Sequence, residues 1–265
     1  MGKIMKYEFR SMFRLFIPLW LGILVLSVVN RFTTNLQFGN DKLLNFFVGL
    51  ALFLYVVGII AVIIVAYIFI VLRFYKGLLK DEGYLTMTLP VSLDSILWGK
   101  ALAAWILMVL TTLVCLVSAG ILLLANVNLR DLAAVWEQTV TYFGSVQTAL
   151  LTAQIILTAL LSTLYSILMP YLAMAIGHLA QKHRVGASVL AYVIIATVLS
   201  TVYNTFLTPA LLDFLVGYQI PVLSPEALAG MISRGLWIYL LVIVVSCVIF
   251  YIPTRVILSK KLNLE

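Results

Sequence analysis

The sequence predicts an all-α integral membrane protein with six transmembrane helices. Of its 265 residues, 64% are hydrophobic and only 10% are charged, and the mean hydropathy is +1.15. Soluble globular domains are about 45–50% apolar and about 25% charged, so this composition excludes that class. The two cysteines, Cys115 and Cys247, lie in separate apolar runs and form no CxxC pair, so neither a disulfide framework nor a zinc site is encoded.

Six apolar runs approach or exceed the roughly 20 residues that a helix needs to cross a bilayer core. Their bounds are 15–29, 43–72, 101–125, 150–177, 185–207 and 236–252. We expect them to form a single transmembrane domain. The first run is short and has a basic flank like that of a signal peptide, but no small-x-small cleavage site follows it, so we expect it to be retained.

Lysine and arginine are distributed unequally between the two sides of the predicted membrane. The segment before the first run, the loops 73–100 and 178–184 and the tail after the sixth run together hold 13 of them, against 4 in the other loops. The positive-inside rule therefore predicts that both termini are cytoplasmic, and an even number of spans requires them to share a side. The net charge of +7 is an orientation signal, and no nucleic-acid partner is expected.

Residues 1–14 predict an amphipathic helix that lies in the plane of the membrane surface. The cations on one side of this helix are Lys3, Lys6, Arg10 and Arg14, and the separate apolar stripe is Met5, Phe9, Met12, Phe13 and Phe16. Such a helix turns its apolar face toward the acyl chains and its cations toward anionic lipid headgroups. The alternative is a straight cytoplasmic extension of the first span.

The loop 73–100 carries apolar residues that a cytoplasmic turn does not need. Two acids, Asp81 and Glu82, come first. The apolar residues that follow are Tyr84, Leu85, Met87 and Leu89. An apolar set exposed to the cytosol favours a docking surface for another protein, whereas the alternative is an ordinary solvated turn.

Six short segments of the chain together resemble the sequence motifs of a known protein family. They are Phe74-Tyr75-Lys76, Asp81-Glu82-Gly83-Tyr84-Leu85, Thr88-Leu89-Pro90-Val91-Ser92, Gly99-Lys100, Lys6-Tyr7-Glu8-Phe9-Arg10 and the tail from Thr254 to Leu264. With six spans and cytoplasmic termini, this set resembles the permeases of bacterial type-2 ATP-binding-cassette (ABC) exporters. In that family the loop forms a coupling helix that seats in a cleft of the ATPase subunit, and an amino-terminal connecting helix lies along the membrane. The resemblance implies an ATPase-coupling loop formed by Asp81, Glu82, Gly83, Tyr84, Leu85, Leu89 and Pro90.

The resemblance also implies the partners and the transport path. Separate ABC ATPase chains would bind ATP and Mg²⁺, and a second permease chain, identical or homologous, would complete the membrane part. The second and fifth spans line the path in that family, which here points to Tyr67 and Asn204. The chain itself contains no GxxxxGK[ST] sequence, so we expect it to bind no nucleotide and to be no enzyme.

The segment between the fifth and sixth spans carries two helix-start signals. Thr208-Pro209 precedes residues 210–217, and Ser224-Pro225 precedes residues 227–235, so that each proline takes the first helical position. The resemblance implies a pair of short re-entrant helices on the extracytoplasmic side. The alternative is a loop resting on the membrane surface.

The predicted spans contain no Asp, Glu, Lys, Arg or His. Ion-coupled carriers and intramembrane proteases usually need ionisable groups inside the membrane, so both classes are disfavoured.

The spacing of His178 and His183 fits no metal site, and we expect both to be solvated. No extracytoplasmic segment exceeds about thirty residues, which leaves no room for a substrate-capturing domain and favours export.

The sequence therefore predicts the permease subunit of an ABC exporter in the bacterial cell membrane. The expected cargo is an apolar or amphipathic peptide, lipid or drug, because the path carries no charge. Two other classes stay open: a secondary carrier, and a non-transporting membrane scaffold or immunity protein.

The asymmetry of Lys and Arg predicts the outcome of cysteine labelling. Single cysteines at Asn128 and Gln219 should react with a membrane-impermeant thiol reagent in intact cells, because both positions are predicted to lie outside. A cysteine at Lys182 should stay unlabelled until the cells are opened. Equal labelling rates at all three positions would contradict the six-span topology.

Overall fold

The chain is helical throughout the part that the structure, a computed structural model, describes. The described residues are 2–35, 42–79, 91–123, 137, 146–180, 182–209 and 225–260, and none of them lies in a β-strand. The six long helices are α1 (Gly2–Asn35), α2 (Lys42–Phe74), α3 (Leu93–Leu123), α4 (Val146–Gly177), α5 (Arg184–Val202) and α6 (Pro225–Lys260). Two π-helical turns, Tyr75–Leu79 and Tyr203–Leu207, continue α2 and α5.

All six helices are long and apolar enough to cross a membrane. The candidate spans are Met5–Thr33, Lys42–Leu79, Leu93–Leu123, Thr148–Gly177, Arg184–Leu207 and Gly230–Ser259. Each overlaps one predicted apolar run. The described part of the chain therefore confirms the all-α class and the prediction of six helices long and apolar enough to span a membrane. Most helices extend past the predicted bounds, because those bounds follow hydropathy alone, whereas a helix continues as long as its backbone hydrogen bonding does.

The amino-terminal segment is continuous with the first span. α1 runs from Gly2 to Asn35 as one helix, with no break between residues 14 and 15. The structure therefore shows no separate amphipathic helix over residues 1–14. The amino-terminal segment instead has the other geometry that the sequence left open, a straight extension of the first span.

The sixth span begins earlier than the sequence predicts. α6 starts at Pro225, which agrees with a proline at the first helical position. It then continues without interruption to Lys260, so residues 227–235 are the first turns of α6 and form no short helix of their own. The other predicted short helix, 210–217, lies outside the described residues.

The helices divide into two compact groups within the expected transmembrane domain. The first helix group comprises residues 1–72 and 95–137, and contains α1 with most of α2 and α3. The second helix group comprises residues 73–94 and 138–265, and contains α4, α5 and α6. The described ends of the loop that joins α2 to α3, residues 73–79 and 91–94, therefore belong to the second group, although α2 and α3 belong mainly to the first.

Apolar packing and hydrogen bonds between helices stabilise the first helix group. Its core consists of Ile23, Tyr55 and Val62, surrounded by Leu19, Trp20, Ile59 and Leu122. Trp20 Nε1 donates a hydrogen bond to Thr111 Oγ1 at 3.2 Å, and the hydroxyls of Tyr55 and Ser118 lie 2.9 Å apart. Polar side chains in apolar helices bond across helices in this way because no water is available to them in a bilayer core.

α4 is the central helix of the second group. It packs against both α5 and α6, and every residue from 167 to 175 is buried. The rings of Tyr165 in α4 and Phe250 in α6 lie 5.1 Å apart. The hydroxyls of Tyr203 and Ser246 lie 2.9 Å apart and link the π-helical turn after α5 to α6.

The turn between α4 and α5 depends on a glycine. Gly177 ends α4, and a β-carbon added at this position would overlap the backbone N and Cα and the Oγ of Ser188 in α5. His183 in the same turn has φ 58°, a left-handed conformation that few residues other than glycine adopt. Only a residue without a side chain allows the two helices to approach this closely.

Gly177→Ala should destabilise the protein by about 1–3 kcal/mol, the usual effect of overpacking against atoms that cannot move aside. Gly120→Ala in α3 is the matched control, because a β-carbon there meets nothing within 4 Å. It should be neutral or stabilising, since alanine favours a helix by up to about 1 kcal/mol over glycine. Thermal unfolding in detergent measures both variants, and equal stability of the two would contradict the close approach at Ser188.

Candidate functional site

The loop between α2 and α3 is anchored at its first end by aromatic stacking. α2 ends at Phe74, whose ring stacks on that of Tyr171 in α4, with centroids 3.7 Å apart and 19° between the planes. In the π-helical turn that follows, Gly77, Leu78 and Leu79 are buried. The chain thus enters the loop as a packed part of the second helix group.

A carboxylate anchors the other end of the loop. Asp94 lies in the first turn of α3, and its Oδ1 accepts a hydrogen bond from the Tyr251 hydroxyl at 2.7 Å. Arg255 Nε binds the same oxygen at 2.7 Å, and both partners come from the carboxyl-terminal turns of α6. The side chains of Asp94 and Arg255 are 39% and 55% exposed, so the ion pair itself contributes roughly 0–1 kcal/mol. Its main effect is to fix the start of α3 to the end of α6.

A buried ion pair lies further along α3. Lys100 Nζ donates to Glu8 Oε1 of α1 at 2.8 Å, inside the first helix group, and each of the two side chains is about nine-tenths buried. Burying two charges costs several kcal/mol per ion, and attraction offsets this cost only when the geometry is good. The predicted spans began at residues 15 and 101, so the sequence reasoning left both residues outside. A lysine directly before the third apolar run was the signal that could have indicated a buried partner.

The predicted coupling residues lie between these two anchors and outside the described residues. They are Asp81, Glu82, Gly83, Tyr84, Leu85, Leu89 and Pro90. Val91 and Ser92, which follow them directly, are exposed. The structure therefore describes how both ends of the loop are held, and the roles of its middle residues stay predictions.

The predicted membrane-surface cations lie on the exposed side of α1. They are Lys6, Arg10 and Arg14, whereas the side chain of Lys3 is outside the described residues. The apolar stripe was expected to face the acyl chains. Two of its members, Met12 and Phe16, are instead buried, and the ring of Phe16 lies 5.4 Å from that of Phe69 in α2. At these two positions the stripe packs inside the protein.

The two predicted pathway residues fall in different helix groups. Tyr67 is half-buried in α2, and Asn204 is exposed in the π-helical turn after α5. The structure therefore assigns Tyr67 and Asn204 no common site.

Asn204 belongs to a polar stripe that the sequence reasoning missed. Thr201 lies three residues before Asn204, Ser200 lies four residues before it, and Thr197 lies one turn earlier, four residues before Thr201. All four residues are exposed. The three hydroxyls donate to backbone carbonyls of the preceding turn at 2.8–2.9 Å, so their oxygens stay available as acceptors. The most apolar window of this candidate span contains no buried residue. The sequence signal that could have indicated this stripe is the spacing of its polar residues, three or four apart inside an apolar run.

The expectation that both histidines are solvated is wrong for His178. His183 is exposed, but His178 is only 9% exposed, just after the last residue of α4. Burial, followed by the positive charge of Arg184, lowers the pKa of His178 below its ordinary value of 6.5. His178 is therefore neutral at pH 7, and the basic character of this turn comes from Lys182 and Arg184.

Neither a metal site nor a known relative identifies the function. Among the residues that the structure describes, no three His, Cys, Asp or Glu side chains are grouped so that they could hold a metal ion. Comparisons with known protein families, with curated proteins and with solved structures find no match. The anchored loop between α2 and α3 is therefore the feature of this chain that bears most on its function.

The burial of the Glu8–Lys100 pair predicts a distinctive pattern of stabilities. Lys100→Met should cost about 3–5 kcal/mol, because it removes the ammonium group that neutralises the buried Glu8 carboxylate. Glu8→Leu/Lys100→Met should recover most of this loss, since the buried carboxylate is then removed as well. Arg255→Gln is the control and should cost less than about 1 kcal/mol, because that pair is partly solvated. Thermal unfolding in detergent compares them, and a Lys100→Met protein as stable as Arg255→Gln would contradict the burial.

Proposed function

We propose that this chain is the permease subunit of an ABC exporter, a multi-pass protein of the bacterial cell membrane with both termini in the cytoplasm. The observation that carries the proposal is the loop between α2 and α3, whose two ends are fixed to the second helix group. Phe74 and Tyr171 hold one end, and Asp94 with its two α6 partners holds the other. A solvated connection needs no such anchors, whereas a surface that transmits force from a partner to the helices does.

The distribution of charge supports a cytoplasmic position for this loop. Thirteen of the 17 Lys and Arg residues fall in the loop, the termini and the 178–184 turn, on the side that the positive-inside rule assigns to the cytoplasm. An ATPase that uses cytoplasmic ATP can reach only that side. Because the sequence has no phosphate-binding motif of its own, ATP and Mg²⁺ would bind in separate ATPase chains.

The middle of the loop has the chemistry of a docking surface. Tyr84, Leu85 and Leu89 would act as the apolar anchors at the centre of the interface with the ATPase. Asp81 and Glu82 would face basic groups at its rim, where charge adds more to specificity than to affinity. Gly83 and Pro90 would shape the backbone at either end of this set.

The polar stripe of α5 supports a second permease chain and a path for cargo. A stripe formed by Thr197, Ser200, Thr201 and Asn204 is unfavourable against lipid tails, so it favours contact with another protein chain or with a water-accessible path. In this proposal Asn204 and Tyr67 contact the cargo. A path with hydroxyls and amides but no charge suits an apolar or amphipathic peptide, lipid or drug.

The exposed cations of α1 complete the proposed arrangement at the cytoplasmic surface. Lys6, Arg10 and Arg14 stand on the exposed side of its first turns and would bind anionic lipid headgroups, joined by Lys3. The buried Glu8 stands on the opposite side and binds Lys100. This end of α1 would thus be held by lipid on one side and by protein on the other.

Substitutions in the loop test the proposal. Tyr84→Ala/Leu85→Ala should weaken binding of the ATPase, because losing a buried anchor typically costs at least ~2 kcal/mol, roughly a thirtyfold change in affinity. Asp81→Asn should have a smaller effect that shrinks further at high salt. Both are measured as the amount of ATPase that co-purifies with the tagged chain from the native membrane.

The thermal stability of the permease alone is the control, since the candidate spans on either side of these residues end at Leu79 and begin at Leu93. The double variant should unfold at the same temperature as the unmodified chain. A double variant that co-purifies with the ATPase in full stoichiometry and transports at the unmodified rate would show that the loop is a turn and no docking surface.

One observation favours a second candidate, an ion-coupled secondary carrier. The structure places the buried Glu8–Lys100 pair inside two candidate spans, whereas the predicted spans contained no ionisable residue. The pair lies close to the start of both spans, which suits a structural role better than a mid-membrane relay. A protonophore separates the two functions: it should stop a carrier at once and leave ATP-driven transport in inside-out vesicles unchanged.

A further inference from the structure

α1 carries an exposed cation on each of three successive turns. Lys6, Arg10 and Arg14, here called the cation line, follow one another at four-residue spacing, which is roughly 6 Å along a helix. Within the described part of the chain, none of the three forms an ion pair. Their candidate span begins at Met5, so the cation line belongs to the first turns of that span. A cation there is costly in hydrocarbon and favourable beside a negatively charged headgroup.

A row of aromatic rings runs along the same helix. Phe9, Phe13 and Trp20, here called the ring line, are all half-buried. The rings of Phe9 and Phe13 are stacked with centroids 5.5 Å apart, and those of Phe13 and Trp20 lie 6.0 Å apart. Trp20 is fixed in turn by its hydrogen bond to Thr111 of α3. The ring line is therefore a continuous apolar strip within the first helix group.

The two lines are neighbours on the surface of α1. At 100° per residue their centres lie about 80° apart around the helix. The ring line separates the cation line from the buried side, which is formed by Glu8, Met12 and Phe16. It also continues to Trp20, six residues or roughly 9 Å beyond Arg14. Cations at one end and rings that continue further along the span match a charged headgroup with an acyl chain below it.

We propose that this side of α1 binds a phospholipid whose headgroup carries two phosphates, with the acyl chain packed on the ring line. Arg10 and Arg14 each hold one phosphate, because a guanidinium can bind a phosphate with two parallel hydrogen bonds. Lys6 adds a point charge beside them. A headgroup with one phosphate would leave two of the three cations without a negative partner.

The lipid is favoured over other ligands because it supplies both chemistries at once. Long cationic side chains cover apolar surface with their stems and keep their charge in the headgroup layer, so the three cations can meet one headgroup. The inference refines the lipid contact of the proposed function and rests on it for the cytoplasmic position of this end of α1.

Native mass spectrometry of the full chain in a non-ionic detergent tests the proposal, because it counts bound lipids by mass. Cardiolipin, which carries two phosphates, is titrated against phosphatidylglycerol, which carries one, at matched phosphate concentration. Cardiolipin should bind as one saturable molecule, about tenfold more tightly or better, because it makes a second charge-assisted contact. Inorganic pyrophosphate should not displace it, since pyrophosphate has no acyl chain. Full displacement would show a site for phosphate alone and contradict the role of the ring line.

Substitutions locate the site on α1. Arg10→Gln/Arg14→Gln should weaken cardiolipin binding about thirtyfold. Lys182→Gln/Arg184→Gln is the matched control, because it removes two cations from the turn between α4 and α5 and should leave the binding unchanged. Arg10→Lys/Arg14→Lys keeps the charge but loses the paired hydrogen bonds, so it should bind less tightly than the unmodified chain. This last variant keeps the test valid if the glutamine variant does not fold.

Three outcomes would overturn the inference. Equal affinity for the two lipids, or an equal loss in the Arg10→Gln/Arg14→Gln variant and in its control, would show that binding follows net charge alone. Retention of no lipid would leave the cation line to an acidic protein partner. Because the binding is measured without an ATPase, each of these results leaves the proposed function standing. A failure of the ATPase to co-purify would contradict the proposed function without changing the lipid measurement.

Discussion

The constraint on which the whole structure depends is the absence of water around an apolar chain in a membrane. A backbone amide in hydrocarbon can bond only within the protein, and the α-helix satisfies every such group inside one segment. The same constraint explains the side-chain hydroxyls, which donate to the carbonyl three or four residues earlier, as in Ser118 to Cys115 and Thr254 to Phe250. Polar groups that cannot do so bond across helices, as Tyr55 does with Ser118.

Charges obey this constraint by collecting at the ends of the helices, and there they acquire structural roles. Asp94, Lys100 and Arg255 all lie near helix ends, and each binds an oppositely charged partner on another helix. Neutral packing continues the connection, since Phe74 stacks on Tyr171 within the stretch where α4 is buried on every side. Both ends of the loop between α2 and α3 are therefore tied to the central helix of the second group or to its neighbour α6.

The sequence was sufficient to predict what depends on local composition. Runs of apolar residues predicted six helices, and Pro225 marked the start of the last one, because hydropathy and proline geometry are properties of a few adjacent residues. Contacts between distant residues could not be predicted, since Asp94 with Arg255 and Glu8 with Lys100 meet only after the helices have packed. The burial of His178 and the close approach of Gly177 to Ser188 depend on packing in the same way. The starts of the first and third spans lie earlier than the apolar runs indicate, because Glu8 and Lys100 neutralise each other inside the protein and so lie within the helices.

We propose that the loop between α2 and α3 couples the helices to a separate ATPase. Native mass spectrometry of the chain purified from its own membrane, combined with a measurement of ATP hydrolysis, tests this proposal most directly. The proposal predicts an assembly of two permease chains with two ATPase chains that hydrolyses ATP. A chain that is recovered alone or only with copies of itself, without ATP hydrolysis, would contradict it.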